Sequence, residues 1–270
     1  MREIIKKVQA HVPFRLLLTE KMETVIKEGI NPEIGFDCND LDNMQKTWVS
    51  EVAKRLSDAG RTVTFHAPFM DLRPGAIDPR IRKVTTDRLQ QVFDLVPYFH
   101  PLTVVCHPSF DEGYYESDKQ AWLENSIETW GHFLKLAEEM GTRIALENVY
   151  ETEPAQLNEL FSAFTSSRLC FCFDTGHFNV FSRVPLDRWV EKLAPRLGQL
   201  HIHDNKGQTD EHFPVGEGNF PFLKFFSLLR SHKLSPLVTL EAHSEDGLRQ
   251  MIQNIKGMNL LGGLSGENPE

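Results

Sequence analysis

The chain has 270 residues, 40% hydrophobic and 25% charged, a balance that excludes disordered and collagen-like architectures. Its 38 acidic against 29 basic side chains give a formal net charge of −9, which argues against a broadly basic nucleic-acid-binding surface. Apolar runs are too short to span a membrane, and the opening Met-Arg-Glu-Ile-Ile-Lys-Lys lacks the apolar core of a secretory signal.

Taken in chain order, eight short β-branched stretches read as strands: Val8–Pro13, Glu33–Asp37, Thr62–His66, Thr103–His107, Arg143–Glu147, Leu169–Asp174, Gly198–His203 and Leu237–Glu241. Amphipathic runs follow them near 15–28, 43–59, 80–98, 119–140, 155–165, 185–194, 220–231 and 245–256. Asp42, Ser117 and Ser244 offer capping oxygens, Pro79 and Pro154 suit a first helical turn, and Gly60 and Gly141 stand where helices should stop. Strict alternation implies a parallel sheet, and eight units imply closure, so the expected fold is α/β, a single (β/α)8 TIM barrel. No Gly-rich phosphate fingerprint follows the first strand, which disfavours an open doubly wound sheet. One domain is expected over residues 1–256, with a loosely held Gly- and Asn-rich tail over 257–270.

Catalytic groups of such barrels come from the C-terminal strand ends. Six of the eight expected strands end in a potential metal ligand: His66, His107, Glu147, Asp174, His201 and Glu241. Strand parity supports convergence, because Cys170, Cys172 and Asp174 share one face while Leu169, Phe171 and Phe173 share the other. Any one of these residues has a bland reading, as a hydrogen-bonded strand-end histidine or a helix-capping carboxylate. Together they would crowd one cavity end, and such a cluster desolvates and repels itself unless a cation sits among its members. Imidazole and carboxylate without thiolate suit zinc, with manganese or iron as alternatives. Two loops add His177 and the pair Asp210 and His212, and Lys206 stands near them as a candidate phosphate-binding cation. Four cysteines (Cys38, Cys106, Cys170, Cys172) without paired spacing suit reduced thiols in a cytoplasmic protein. Cys170 and Cys172 read as small barrel-interior packing residues; His11, His100, His132, His232 and His243 have no partners by position.

The ordered set HAPF, HPSF, LEN, DTGH, HIHDNK–DEH–GEGNF and LE resembles the xylose isomerase-like TIM barrels, and within them the endonuclease IV branch, also called AP endonuclease family 2. That resemblance implies three cations: one on His66, His107 and Glu147; one sharing Glu147 with Asp174, His201 and Glu241; one on His177, Asp210 and His212. The sugar epimerase and isomerase branch is similar only at Glu147, Asp174, His201 and Glu241, around one cation. The chain departs from the endonucleases in its opening KVQAHVPFRLL, in the acidic FDCNDLDNM after the second strand, and at His203, where they carry Asn. It departs from the epimerases in DNKGQ, where they carry an arginine, and lysine replaces that planar fork only in part.

Two reactions follow. The first is phosphoester-type hydrolysis by one to three divalent ions, with Lys206 on a phosphate oxygen and a small polar or phosphorylated substrate in place of disfavoured abasic DNA. The alternative is single-cation sugar isomerisation or epimerisation, with Glu147 and Glu241 as the acid/base pair. Trp48, Phe69, Tyr114, Tyr115, Phe178 and Phe181 are candidates to line a sugar pocket, with packing as their competing role.

Overall fold

The computed structural model describes residues 2–264. Eight strands form the barrel wall: β1 (Gln9–Pro13), β2 (Asn31–Gly35), β3 (Thr64–His66), β4 (Val104–Cys106), β5 (Ile144–Glu147), β6 (Leu169–Asp174), β7 (Leu197–Ile202) and β8 (Leu237–Leu240). Each pairs in parallel with the next, and β8 returns to β1 through Gln9–Thr239 and Ala10–Leu240, so the sheet closes with no free edge. This is a single (β/α)8 TIM barrel.

Parity within β6 explains the layering. Phe171 and Phe173 point outward, each with its ring centroid 6.2 Å from that of Trp189 on the helix Leu186–Leu193. Cys170 and Cys172 point inward and join Val105 and Ala145 in a small, separate interior cluster. The register between β6 and β7 shifts after Phe171, passing over Gly198. A side chain at Gly198 would lie 2.6 Å from the Cys170 sulfur, so glycine lets the irregularity form there. Beyond it, Cys172 pairs with Gln199 and Asp174 with His201.

Some expected boundaries are corrected. β2 begins two residues earlier, at Asn31, because Pro32 reads as a strand breaker yet pairs with Ala10 in the ladder. Asp37 is not in the strand; its carboxylate caps the helix Cys38–Asp42 by accepting the Asp40 N–H at 2.7 Å. Asp42 therefore lies inside a helix, and Ser117 is displaced as a cap by Asp118. Ser244 caps Glu245–Gly257 as expected, and Gly141 ends Lys119–Met140 at φ 74°. Past Gly257 the chain is held more firmly than its composition suggests: Leu260 is buried, and Arg230 donates to its carbonyl. Residues 265–270 of the expected tail lie outside the described residues. No helix among the described residues is long and apolar enough to cross a membrane.

Candidate metal centre

All nine expected ligands converge at the C-terminal strand ends. His66, His107, Glu147, His177, Asp210, His212 and Glu241 line a cavity of about 380 Å³, and Asp174 and His201 are fully buried. Glu147 is the hub. Its Oε2 lies 3.4 Å from His66 Nε2, 3.3 Å from His107 Nε2 and 3.1 Å from His201 Nδ1, and its Oε1 lies 3.0 Å from His177 Nδ1. Glu241 Oε1 approaches the same His201 Nδ1 at 3.1 Å.

Five groupings bring ligand atoms close enough to share an ion: His66 with His107 and Glu147, His66 with His201 and Glu241, Asp174 with His177 and His203, Glu147 with Cys172 and His201, and His203 with His212 and Glu241. The first matches the set implied by the resemblance. The third differs from it, because His203 stands in the cluster. His203 Nε2 bonds both Asp174 oxygens at 3.1 Å, and its ring stacks on His212 at 3.7 Å. A Cβ at Gly176 would fall 1.9 Å from that ring, so the glycine of DTGH makes room for this imidazole. Asp174 also keeps its bland role, capping Thr175–Phe181 by accepting the His177 N–H at 2.6 Å.

The cluster suits a divalent cation on its own chemistry. His107 Nε2, Glu147 Oε2, His201 Nδ1 and His203 Nδ1 are buried and make no hydrogen bond, although other polar atoms lie close by. Buried polar atoms without partners are costly, and ligands of a shared cation approach one another in this way. Burial opposes charge on His177 and His201, yet the surrounding carboxylates overcome it and hold both well above the usual imidazole range. Burial likewise opposes ionisation of Glu147 and Glu241, and the facing imidazoles hold both well below the usual carboxylate range. His212, partly buried and bonded to Asp210, is pushed up to about 9.

The loop carrying Asp210 and His212 is folded inward by a carboxylate outside the cluster. Asp204 accepts backbone N–H groups of Asn205, Gly216, Gly218 and Phe220 at 2.9–3.1 Å, so the HDN and GEGNF motifs form one structural clasp. A Cβ at Gly218 would meet the Asn205 carbonyl at 2.1 Å.

Other expectations need correction. Lys206 does not line the cavity: it is exposed, and its ammonium lies 5.7 Å from the Phe213 ring centroid. Of the candidate aromatics only Phe69 and Phe181 reach the cavity, joined by Tyr150. Tyr115 packs against Phe110, Phe178 against Phe173, and neither these nor Trp48 and Tyr114 line it. His11 and His243, set aside from sequence, both line the cavity, and His243 stacks on His212 at 4.4 Å. The signal for His243 was its place two residues past Glu241; for His11 it was the inward parity of β1.

A family model described as xylose isomerase-like TIM barrel matches residues 32–258. The chain belongs to that family. An uncharacterised protein of Methanocaldococcus jannaschii is 30% identical over 188 residues, which span 66% of this chain and 64% of that relative. Among solved structures, a Thermus thermophilus protein whose crystal was soaked with zinc chloride superposes with a TM-score of 0.79 at 25% identity, covering 98% of this chain and all of that one. A D-tagatose 3-epimerase-like protein gives a TM-score of 0.79 at 23% identity over 93% of this chain and 97% of that one, a likeness of fold.

Proposed function

We propose that the protein is a divalent-cation-dependent isomerase or epimerase of a small sugar-type substrate. The observation that carries this reading is the convergence of Glu147 and Glu241 on His201 Nδ1, at 3.1 Å each, beneath a cavity that no lysine or arginine among the described residues lines. Zinc suits the donor set, with manganese or iron(II) as alternatives. Glu147, Asp174, His201 and Glu241 would hold the ion, which supplies polarisation of a substrate carbonyl and its neighbouring hydroxyl.

The residues do the rest. An ionised carboxylate of the pair takes the proton from the carbon beside the carbonyl, and the protonated carboxyl returns one to the neighbouring carbon or to the opposite face. No atom is gained or lost overall. Phe69, Tyr150 and Phe181 provide apolar cavity wall for a sugar face, while the imidazoles of His11 and His243, in the same lining, offer hydrogen-bonding groups. The fold likeness to a D-tagatose 3-epimerase-like protein supports the same reading.

Multi-cation phosphoester hydrolysis is the second reading, favoured by one observation: the ligands outnumber what a single ion takes, and His66–His107–Glu147 forms a grouping of its own. Against it, Lys206, the expected phosphate-binding cation, does not line the cavity. A panel of ketoses and aldoses, assayed with zinc, manganese or iron(II) beside abasic DNA and simple phosphoesters, separates the two. Interconversion of a sugar with no phosphoester cleavage is the expected result. Metal content adds to it: one equivalent per chain, unaltered by Asp210→Asn or His212→Asn, supports the isomerase, whereas two or three equivalents that fall on these substitutions support the hydrolase.

A further inference from the structure

Directly below the ligand layer lies a carboxylate that no catalytic motif includes. Glu33, on β2, is fully buried in the barrel interior. Its Oε2 accepts three hydrogen bonds, from Thr64 Oγ1 at 2.9 Å, Gln199 Nε2 at 2.6 Å and Thr239 Oγ1 at 3.0 Å. Each donor stands two residues before an expected ligand: Thr64 before His66, Gln199 before His201, and Thr239 before Glu241, which directly follows β8. Side chains two apart on a strand share a face, so these donors form the tier beneath the ligands. Thr103 donates to Gln199 Oε1, which fixes the amide so that its Nε2 points at Glu33.

The other oxygen has a different job. Glu33 Oε1 takes no hydrogen bond from this tier and lies 2.9 Å from His201 Nε2. The opposite nitrogen of the same ring, Nδ1, faces Glu147 and Glu241. An imidazole ligand uses one nitrogen for the metal, and a carboxylate at the other fixes ring orientation and raises ligand basicity. A carboxylate anchored by three donors is held in place, and is therefore a firm stop for that ring.

We propose that Glu33 is the positioning residue of the metal centre: anchored through Oε2 to the three strands leading to His66, His201 and Glu241, it holds His201 by Nε2 and presents Nδ1 to the cation. This rests on the cation-dependent reading above but not on the identity of the substrate. Glu33→Gln keeps the side-chain shape and removes the charge; Glu33→Asp keeps the charge and withdraws it by one methylene. Zinc affinity, measured by competition with a chromophoric chelator, is expected to fall about 10- to 100-fold in Glu33→Gln and by less in Glu33→Asp. The cobalt(II)-substituted variants should show shifted d–d absorption, a signature that loss of stability alone does not produce. Circular dichroism of the cation-free proteins identifies any variant that fails to fold, and Glu33→Asp then carries the test. Affinity and cobalt spectrum unchanged from wild type in a folded variant would overturn the inference alone. A wild-type protein that binds no divalent cation would overturn the proposed function together with it.

Discussion

The barrel interior has two sectors of opposite character. Beneath β4, β5 and β6 it is filled by Val105, Ala145, Cys170 and Cys172, small side chains in a cluster of their own, with the Cys172 thiol lying against His201. Across β2, β3, β7 and β8 it is filled by Glu33, Thr64, Gln199 and Thr239, hydrogen-bonded to one another. Branched apolar side chains usually fill such interiors. The contrast shows two ways of fixing a ligand. Glu147 rises from a sector where close packing positions it, and His201 and Glu241 rise from one where directional hydrogen bonds do.

The largest effect that tests this contrast is on the ligands themselves. Glu147→Gln and Glu241→Gln, one from each sector, should each lower kcat about 10²- to 10⁴-fold while leaving the circular dichroism spectrum unchanged. A variant that kept its rate would remove that carboxylate from the proton-transfer pair.

Another buried carboxylate sharpens the contrast by lacking such partners. Glu151 follows β5, and the Val149 N–H donates to its Oε2 at 2.7 Å while Oε1 makes no hydrogen bond. Burial pushes its carboxyl up from 4.5 to about 7, whereas Glu33, equally buried, is held below its usual value by His201 despite that burial. The folded state therefore holds the Glu151 proton longer than the unfolded state, and stability falls as pH rises from 4.5 to 7, with the full penalty above pH 7. That penalty is about 3 kcal/mol. In Glu151→Gln this component disappears, so denaturant unfolding at pH 5 and pH 8 should show a smaller loss of stability than in wild type. An identical loss would show that Glu151 ionises freely in the folded protein.

Smaller effects divide by sector. Ala145→Leu overfills the packed sector and should cost about 1–3 kcal/mol in chemical denaturation. Thr239→Val removes one of the three donors to Glu33 and should cost about 1 kcal/mol. If Ala145→Leu were neutral, the apolar sector would be loosely packed and could not be what positions Glu147.

Much of this was legible in the sequence, and the exceptions have physical causes. Strand ends could be read because hydrophobic periodicity stops where His107, Glu147 and Asp174 interrupt it, and the alternation of strand and helix implied closure. The start of β2 was hidden by Pro32, and Glu33 looked like an ordinary strand opening, because its partners lie 31, 166 and 206 residues away along the chain. The helix Thr175–Phe181 was missed because its buried residues, Thr175 and Gly176, form no apolar stripe. His203 could be placed in the cavity from parity, but its pairing with Asp174 depends on space left by Gly176, which only the folded chain reveals. Lys206 does not line the cavity, because nearness in sequence does not set the direction of an exposed side chain.

Solvent-deuterium incorporation tests the central claim most directly. The zinc-, manganese- or iron(II)-loaded protein is incubated in D2O with a panel of ketoses and aldoses, and the sugars are examined by NMR. Proton exchange by the carboxylate pair predicts deuterium on the carbon beside the carbonyl of at least one sugar, lost in Glu147→Gln or Glu241→Gln. No incorporation into any sugar, with hydrolysis of a phosphoester by the same preparation, would contradict it.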